Sequence, residues 1–357
     1  MGESVSELID RAAARPGALA VRELAHLLSL GDSGARAELH AAARAVKERE
    51  FGAAVAVRGL VEAGNVCAKD CRYCGLRRSN PRLKRYQLAA DEIVRAAEFA
   101  AANRYGSLVI QSGEIEGEAH TRFIEEVLER IRPLDLGVTL SLGEQTEETF
   151  RRWRAAGAER YLLRIETSDP AFYARLHPAG HDWRRRRECL AALLRCGYRL
   201  GTGVMCALPG QTPGMLARDV QFFADCGACM LGMGPYIPHP DAPLGAGEDA
   251  TPAAERLRLG LDLIAVARLH LHRVNIAAAT SLQALAPDGR AQGLLAGANV
   301  VMPNITATRW RAGYQLYPGK PTLDETADGA TAALVRDVAA AGGEIAWGAR
   351  GDPPLGR

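Results

Sequence analysis

A chain of 357 residues, 48% hydrophobic and 24% charged, has room for one large α/β barrel or two average domains. Its net charge of +2 gives no reason to expect nucleic acid or an anionic membrane as partner, and no apolar run of about 18 residues exists to span one. Residues 1–5 show no basic or apolar leader, and the eight cysteines do not form a disulfide framework, so a reducing, cytoplasmic setting is expected.

Residues 1–50, rich in Ala, Leu and Arg at helical spacing, are expected to form a helical extension that closes one end of the domain beyond it. From there to residue 320, eight apolar runs recur: 53–63, 107–113, 137–143, 160–167, 198–208, 229–237, 273–282 and 298–305. Most are continuous aliphatic and β-branched stretches, as strands buried on both faces should be. Amphipathic segments alternate with them at 90–103, 118–130, 146–156, 182–196, 213–225 and 252–270, several with start signals such as Thr146 and Asp182. Strand and helix alternating about eight times predict an α/β fold, a (β/α)8 TIM-type barrel over residues 51–320. Residues 321–357 are expected to add one helix near 331–341 and a mobile Gly/Pro-rich end at 348–357.

The first apolar run leads into Cys67-Ala68-Lys69-Asp70-Cys71-Arg72-Tyr73-Cys74, a C-x3-C-x2-C loop. Three thiolates at this spacing suit a 4Fe–4S cubane with one iron left without a protein ligand. A closed structural zinc site would need a fourth Cys or His, and the nearest downstream are His120 and Cys189. Cys226-Gly227-Ala228-Cys229 stands where a helix should end and a strand begin, and is read as buried thiols. Polar and Gly residues end most of the strands, on the same face as the cysteine loop, and so mark that face as the mouth of an active site.

The loop resembles the signature of the radical S-adenosylmethionine (SAM) enzymes. Over roughly residues 58–320 the chain is similar to the FeFe-hydrogenase maturases of HydE type, whose relatives include biotin synthase and methylornithine synthase. The segments that carry this are Val109-Ile110-Gln111-Ser112-Gly113-Glu114, Ser141-Leu142-Gly143-Glu144, Leu208-Pro209-Gly210-Gln211-Thr212 and Tyr314-Gln315-Leu316-Tyr317-Pro318-Gly319-Lys320. The resemblance implies that Cys67, Cys71 and Cys74 bind the cluster and that SAM chelates its open iron, yielding a 5′-deoxyadenosyl radical. It implies that Tyr73, Gln111, Ser112, Gly113, Glu166 and Arg185 hold SAM, and that Ser141, Arg164, Ile165, Thr280, Met302 and Tyr314 surround a small substrate.

The implied partners are that substrate and an electron donor such as flavodoxin or ferredoxin, with the protein acting as a monomer. Three positions depart from the maturase pattern: Ile165 for His, Ala279 for Thr, and Ile115-Glu116 for Asp-Pro. The expected function is therefore hydrogenase cofactor maturation on a small iron complex, or the same radical chemistry on an altered substrate. A carbon-skeleton rearrangement like that of methylornithine synthase is the second reading, and a non-catalytic iron–sulfur carrier the third.

Overall fold

A computed structural model describes residues 3–245, 251–321, 323 and 326–353. Eleven strands run in the order β1 (Ala54–Gly64), β2 (Ser107–Ser112), β3 (Gly137–Ser141), β4 (Ala158–Leu162), β5 (Arg199–Thr202), β6 (Met205–Cys206), β7 (Met230–Leu231), β8 (Gly234–Pro235), β9 (Asn275–Ile276), β10 (Val300–Val301) and β11 (Glu344–Ile345). The parallel order β10-β1-β2-β3-β4-β5-β7-β9 closes on itself. Ala278 N donates to Val300 O at 2.9 Å and Asn299 N to Ile276 O at 3.0 Å, so the chain forms the expected (β/α)8 barrel with an N-terminal helical extension. β6 and β8 pair beyond β5 and β7, after a break at Gly203. A side chain there would put Cβ 2.1 Å from Gly232 O.

Inside–outside alternation follows the period of two. On the outer face Val57, Ile110, Leu140, Tyr161, Leu163 and Ile276 join the core under the helices. Ala56, Ala277 and Val300 form a separate inner cluster that Met302 caps.

Helices Ala90–Ala102, Glu118–Ile131, Glu147–Ala156, Trp183–Arg195, Pro213–Asp225 and Ala253–Leu271 form where the periodicity placed them. Caps fix their starts: Thr146 and Asp182 side chains accept from Thr149 N and Arg184 N. Among the described residues four short helices were not expected, Pro170–Leu176 and Thr280–Leu285 among them, the latter falling inside the run read as a seventh strand. Among the described residues no helix is long and apolar enough to cross a membrane.

The base of the barrel is closed differently from the expectation. The N-terminal helices Val21–Leu28 and Ser33–Phe51 pack on the outer wall against Pro213–Asp225 and Ala253–Leu271. The centre of the base is filled by residues 349–353, the part of the tail expected to be mobile. Arg350 O accepts from Ser107 Oγ at 2.6 Å, and Gly351 O accepts from Asn275 Nδ2 at 2.7 Å and Arg58 Nη2 at 3.1 Å. Asp352 pairs with Arg160 and Arg199. Residues 354–357 of that tail lie outside the described residues.

Candidate active site at the barrel mouth

The loop after β1 is folded around one arginine. The Arg85 guanidinium donates to the carbonyls of Asn65, Leu76, Arg77 and Arg78 at 2.5 to 3.1 Å, gathering residues 65–85 into a compact knob. Two glycines allow it to sit close to the barrel. A Cβ on Gly113 would stand 2.2 Å from Val66 O, and one on Gly75 2.4 Å from Gln315 O.

Cys67, Cys71 and Cys74 are half-buried and unpaired on this knob. Glu114 N donates to Cys67 Sγ and Leu76 N to Cys74 Sγ, both at 3.4 Å, bonds that favour a thiolate. Burial nevertheless pushes all three thiols up, Cys74 to about 12, so a bound cation is needed to keep them ionised. Among the described residues no three His, Cys, Asp or Glu side chains converge as ligands of a single ion would. A cubane takes each thiolate on a different iron, and this donor set fits one.

Beneath the knob lies a buried network of charges. Lys69, inside the C-x3-C spacer, is 3.0 Å from both Glu114 and Glu144. Glu144 N donates to Glu114 Oε2 at 2.8 Å, and Arg186 Nε is 2.8 Å from Glu144 Oε1. Burial raises Glu114 above the usual carboxylate range. It also opposes the charge on Lys69, but Glu114 and Glu144 outweigh it and hold the ammonium.

Arg185 reaches the same network from outside, 3.3 Å from Glu144 and 2.8 Å from Glu116, with half its side chain exposed. Tyr73 is held on the other flank, its hydroxyl 3.3 Å from His177 Nε2 and its ring against Phe172, Leu176, Leu208 and Tyr236.

The barrel interior carries most of the remaining expected residues. Gln111 and Ser141 are register partners at the ends of β2 and β3. Ser112 Oγ donates to Gly113 O at 2.6 Å, and Gly113 N to Gly64 O at 3.0 Å. Glu166 has φ of 66°, a left-handed conformation that costs a non-glycine residue energy and is typical of functional turns. Arg164 lies 3.2 Å from Glu166 Oε2 without hydrogen-bond alignment, and among the described residues Arg164 Nε and Nη2 and Glu166 Oε2 have no hydrogen-bond partner. Glu166 is near enough to Tyr73 and Cys74 to add to the upward push that burial gives both. Thr280 Oγ1 is 2.9 Å from Tyr317 OH, and buried Tyr314 lies under the Lys320 ammonium, which pairs with Glu62 inside the barrel.

Ile165 is a correction. Its side chain is fully buried in the outer core between β4 and the helices, with Leu163, not in the cavity. Arg164 faces the cavity, and the residue after it must face away. Ala279 and Ile115 are half-buried at the mouth.

Residues 61–223 match the model of the Radical SAM superfamily. The chain is 40% identical over 297 residues, 83% of each chain, to the [FeFe] hydrogenase maturase subunit HydE of Thermotoga maritima. It belongs to the radical SAM superfamily, in the HydE family. To the 3-methylornithine synthase of Methanosarcina acetivorans it is 24% identical over 281 residues, 78% of this chain and 77% of that one. Among solved structures, methylornithine synthase (PylB) superposes with a TM-score of 0.80 at 22% identity, covering 95% of this chain and 97% of that one, and shares the fold. Radical SAM membership implies a 4Fe–4S cluster and SAM as cofactors.

For this HydE-family chain, sequence reasoning missed the charged network. Arg186 is hidden in the run 184–187, yet it shares a helical face with Cys189, Leu190 and Leu193, all buried, and that spacing is a usable signal. Glu62 and Lys320 are 258 residues apart, and nothing local pairs them.

Proposed function

We propose that this protein is a HydE-type maturase, a radical SAM enzyme acting on a small substrate inside the barrel during assembly of the FeFe-hydrogenase cofactor. When bound, the cluster and SAM supply a 5′-deoxyadenosyl radical. Cys67, Cys71 and Cys74 would hold the cluster. Lys69, tied to Glu114 and Glu144, fixes the loop that carries them.

Glu166 offers a carboxylate oxygen that has no partner among the described residues to the hydroxyl or ammonium groups of SAM, and Arg185 a half-exposed guanidinium to its carboxylate. Tyr73 supplies an aromatic face. Arg164, with two N–H positions unbonded among the described residues, can hold an anionic group of the substrate, and Ser141, Thr280, Met302 and Tyr314 would line the space around it. Eight unpaired cysteines support a reducing, cytoplasmic location, and the chemistry requires an electron donor.

The observation that carries this reading is the 40% identity to HydE over 83% of the chain. An altered substrate loses one of its supports, since Ile165 does not line the cavity. It keeps Ala279 and Ile115 at the mouth. A non-catalytic carrier has no use for the Arg164–Glu166 pair in the interior.

The test is in vitro maturation: apo-hydrogenase is incubated with the other maturases and with or without this protein, and hydrogen evolution is followed. Activation that depends on this chain is expected. Formation of 5′-deoxyadenosine without any hydrogenase activation would instead favour the altered substrate.

A further inference from the structure

The cluster knob has a charge pattern that binding the cluster does not require. Residues 69–85 contain seven cations, Lys69, Arg72, Arg77, Arg78, Arg82, Lys84 and Arg85, against the single acid Asp70. With a net charge of only +2, the rest of the chain is net acidic.

The cations divide into two sets. Lys69 is held by Glu114 and Glu144, Arg77 by Asp70, and Arg85 by four carbonyls. These three build the knob and neutralise its only acid. Arg72, Arg78, Arg82 and Lys84 are exposed on its outer side. Of these four, only Arg82 has an ion pair among the described residues, at 2.7 Å to Asp241, and its side chain remains 77% exposed.

Several exposed arginines elsewhere are matched by acids, Arg151 with Glu147 and Glu148, Arg195 with Glu147 and Glu188, and Arg152 with Glu118 and Glu125, while Arg184 and Arg187 have no ion pair among the described residues. The unmatched patch sits directly on the cluster ligands. Arg72 follows Cys71, and Arg78 N donates to Lys69 O within the C-x3-C spacer at 2.8 Å.

We infer that the outer face of residues 72–84 is the docking surface for an acidic one-electron carrier protein. This rests on the radical SAM reading, which requires an electron at this loop. Exposed like charges gain little from the fold and repel one another, but they steer and orient an oppositely charged partner. A patch of four cations suits the small, transient, salt-sensitive contact of redox proteins. In each encounter one electron leaves the carrier's reduced flavin or iron–sulfur group and one is taken up at the cluster, with no other group exchanged. The interior-facing side of the loop stays free for SAM and substrate.

The test uses reconstituted holoenzyme and an acidic flavodoxin as probe, comparing wild type with Arg78→Glu/Lys84→Glu and the milder Arg78→Gln/Lys84→Gln. Flavodoxin binding by titration calorimetry should weaken steeply between 50 and about 300 mM salt in the wild type, and about tenfold on charge reversal, the Gln pair falling between. SAM cleavage driven by reduced flavodoxin should fall in parallel, while cleavage driven by dithionite, a small reductant that needs no docking, stays at the wild-type level. Unchanged flavodoxin binding in both variants, or salt-independent binding in the wild type, would overturn the assignment. So would tighter binding of a short DNA duplex than of flavodoxin. Absence of dithionite-driven cleavage in the wild type would strike the radical SAM reading instead, while the binding series still decides the surface.

Discussion

Ending the chain at Gly348 removes the plug from the base of the barrel, and the structure sets the expected cost. Four bonds to backbone carbonyls disappear: Ser107 and Arg160 to Arg350 O, and Asn275 and Arg58 to Gly351 O. The Asp352 carboxylate, shared by Arg160 and Arg199, goes with them. Arg58 is fully buried and its side chain has no carboxylate partner among the described residues, and burial already lowers its pKa to about 9. A buried donor stripped of its acceptor costs about 1–3 kcal/mol, but water entering the opened base replaces part of each bond. The expected total loss is about 3–5 kcal/mol, or roughly 6–10 °C in Tm at about 2 °C per kcal/mol for a chain of this size. The assay is thermal unfolding of the full-length and truncated apo-proteins, with Asp352→Asn as an intermediate case. A truncated protein melting within about 2 °C of full length would refute the reasoning and return the tail to a passive role.

Arg186→Ala should cost about 3–5 kcal/mol, because it leaves Glu144 and Glu114 buried with one cation fewer, whereas half-exposed Arg185→Ala should stay folded and bind SAM more weakly; paired melting and SAM-binding measurements check both. Among the described residues His120 has no hydrogen-bond partner on either ring nitrogen; it packs against Phe123 and Trp153, and burial pushes its pKa down to about 4. Its contribution is therefore complete above its unfolded pKa of about 6.5 and is lost as pH falls towards 4, worth about 2–3 kcal/mol; in His120→Leu, denaturant titrations should show a flatter decline over that range. Burial raises Asp219 to about 7, and its Oδ1 accepts from Ser168 N and Oγ at 2.6 Å. The wild type should lose stability as pH rises through 7, and Asp219→Asn, which keeps an acceptor, should melt no lower than wild type at pH 8; a lower melting point there would show that the charge itself is needed.

The barrel is legible in the sequence because its strands are buried on both faces and read as unbroken apolar runs between amphipathic helices. The same property hides which face each residue takes. Ile165 follows Arg164 and precedes Glu166, two polar groups that mark the interior, so the alternation in the sequence already puts the isoleucine outside. The loop chemistry is legible because the three cysteines, the spacer and Tyr73 are contiguous. The plug is not, because the tail is held through the carbonyls of Arg350 and Gly351, groups that every residue carries. A Gly/Pro-rich end then looks mobile whether or not it is docked. The seventh strand reads too long because Ala277–Ala279 and Leu282 stay apolar across the point where Thr280 begins a helix.

The most direct measurement of the central claim is 5′-deoxyadenosine formed by protein reconstituted anaerobically with iron and sulfide, then given SAM and dithionite. About four irons per chain and 5′-deoxyadenosine accumulating with time are expected, both lost in Cys71→Ser. Four irons retained in Cys71→Ser, or a wild type that binds iron and SAM and yields no 5′-deoxyadenosine, would contradict the account.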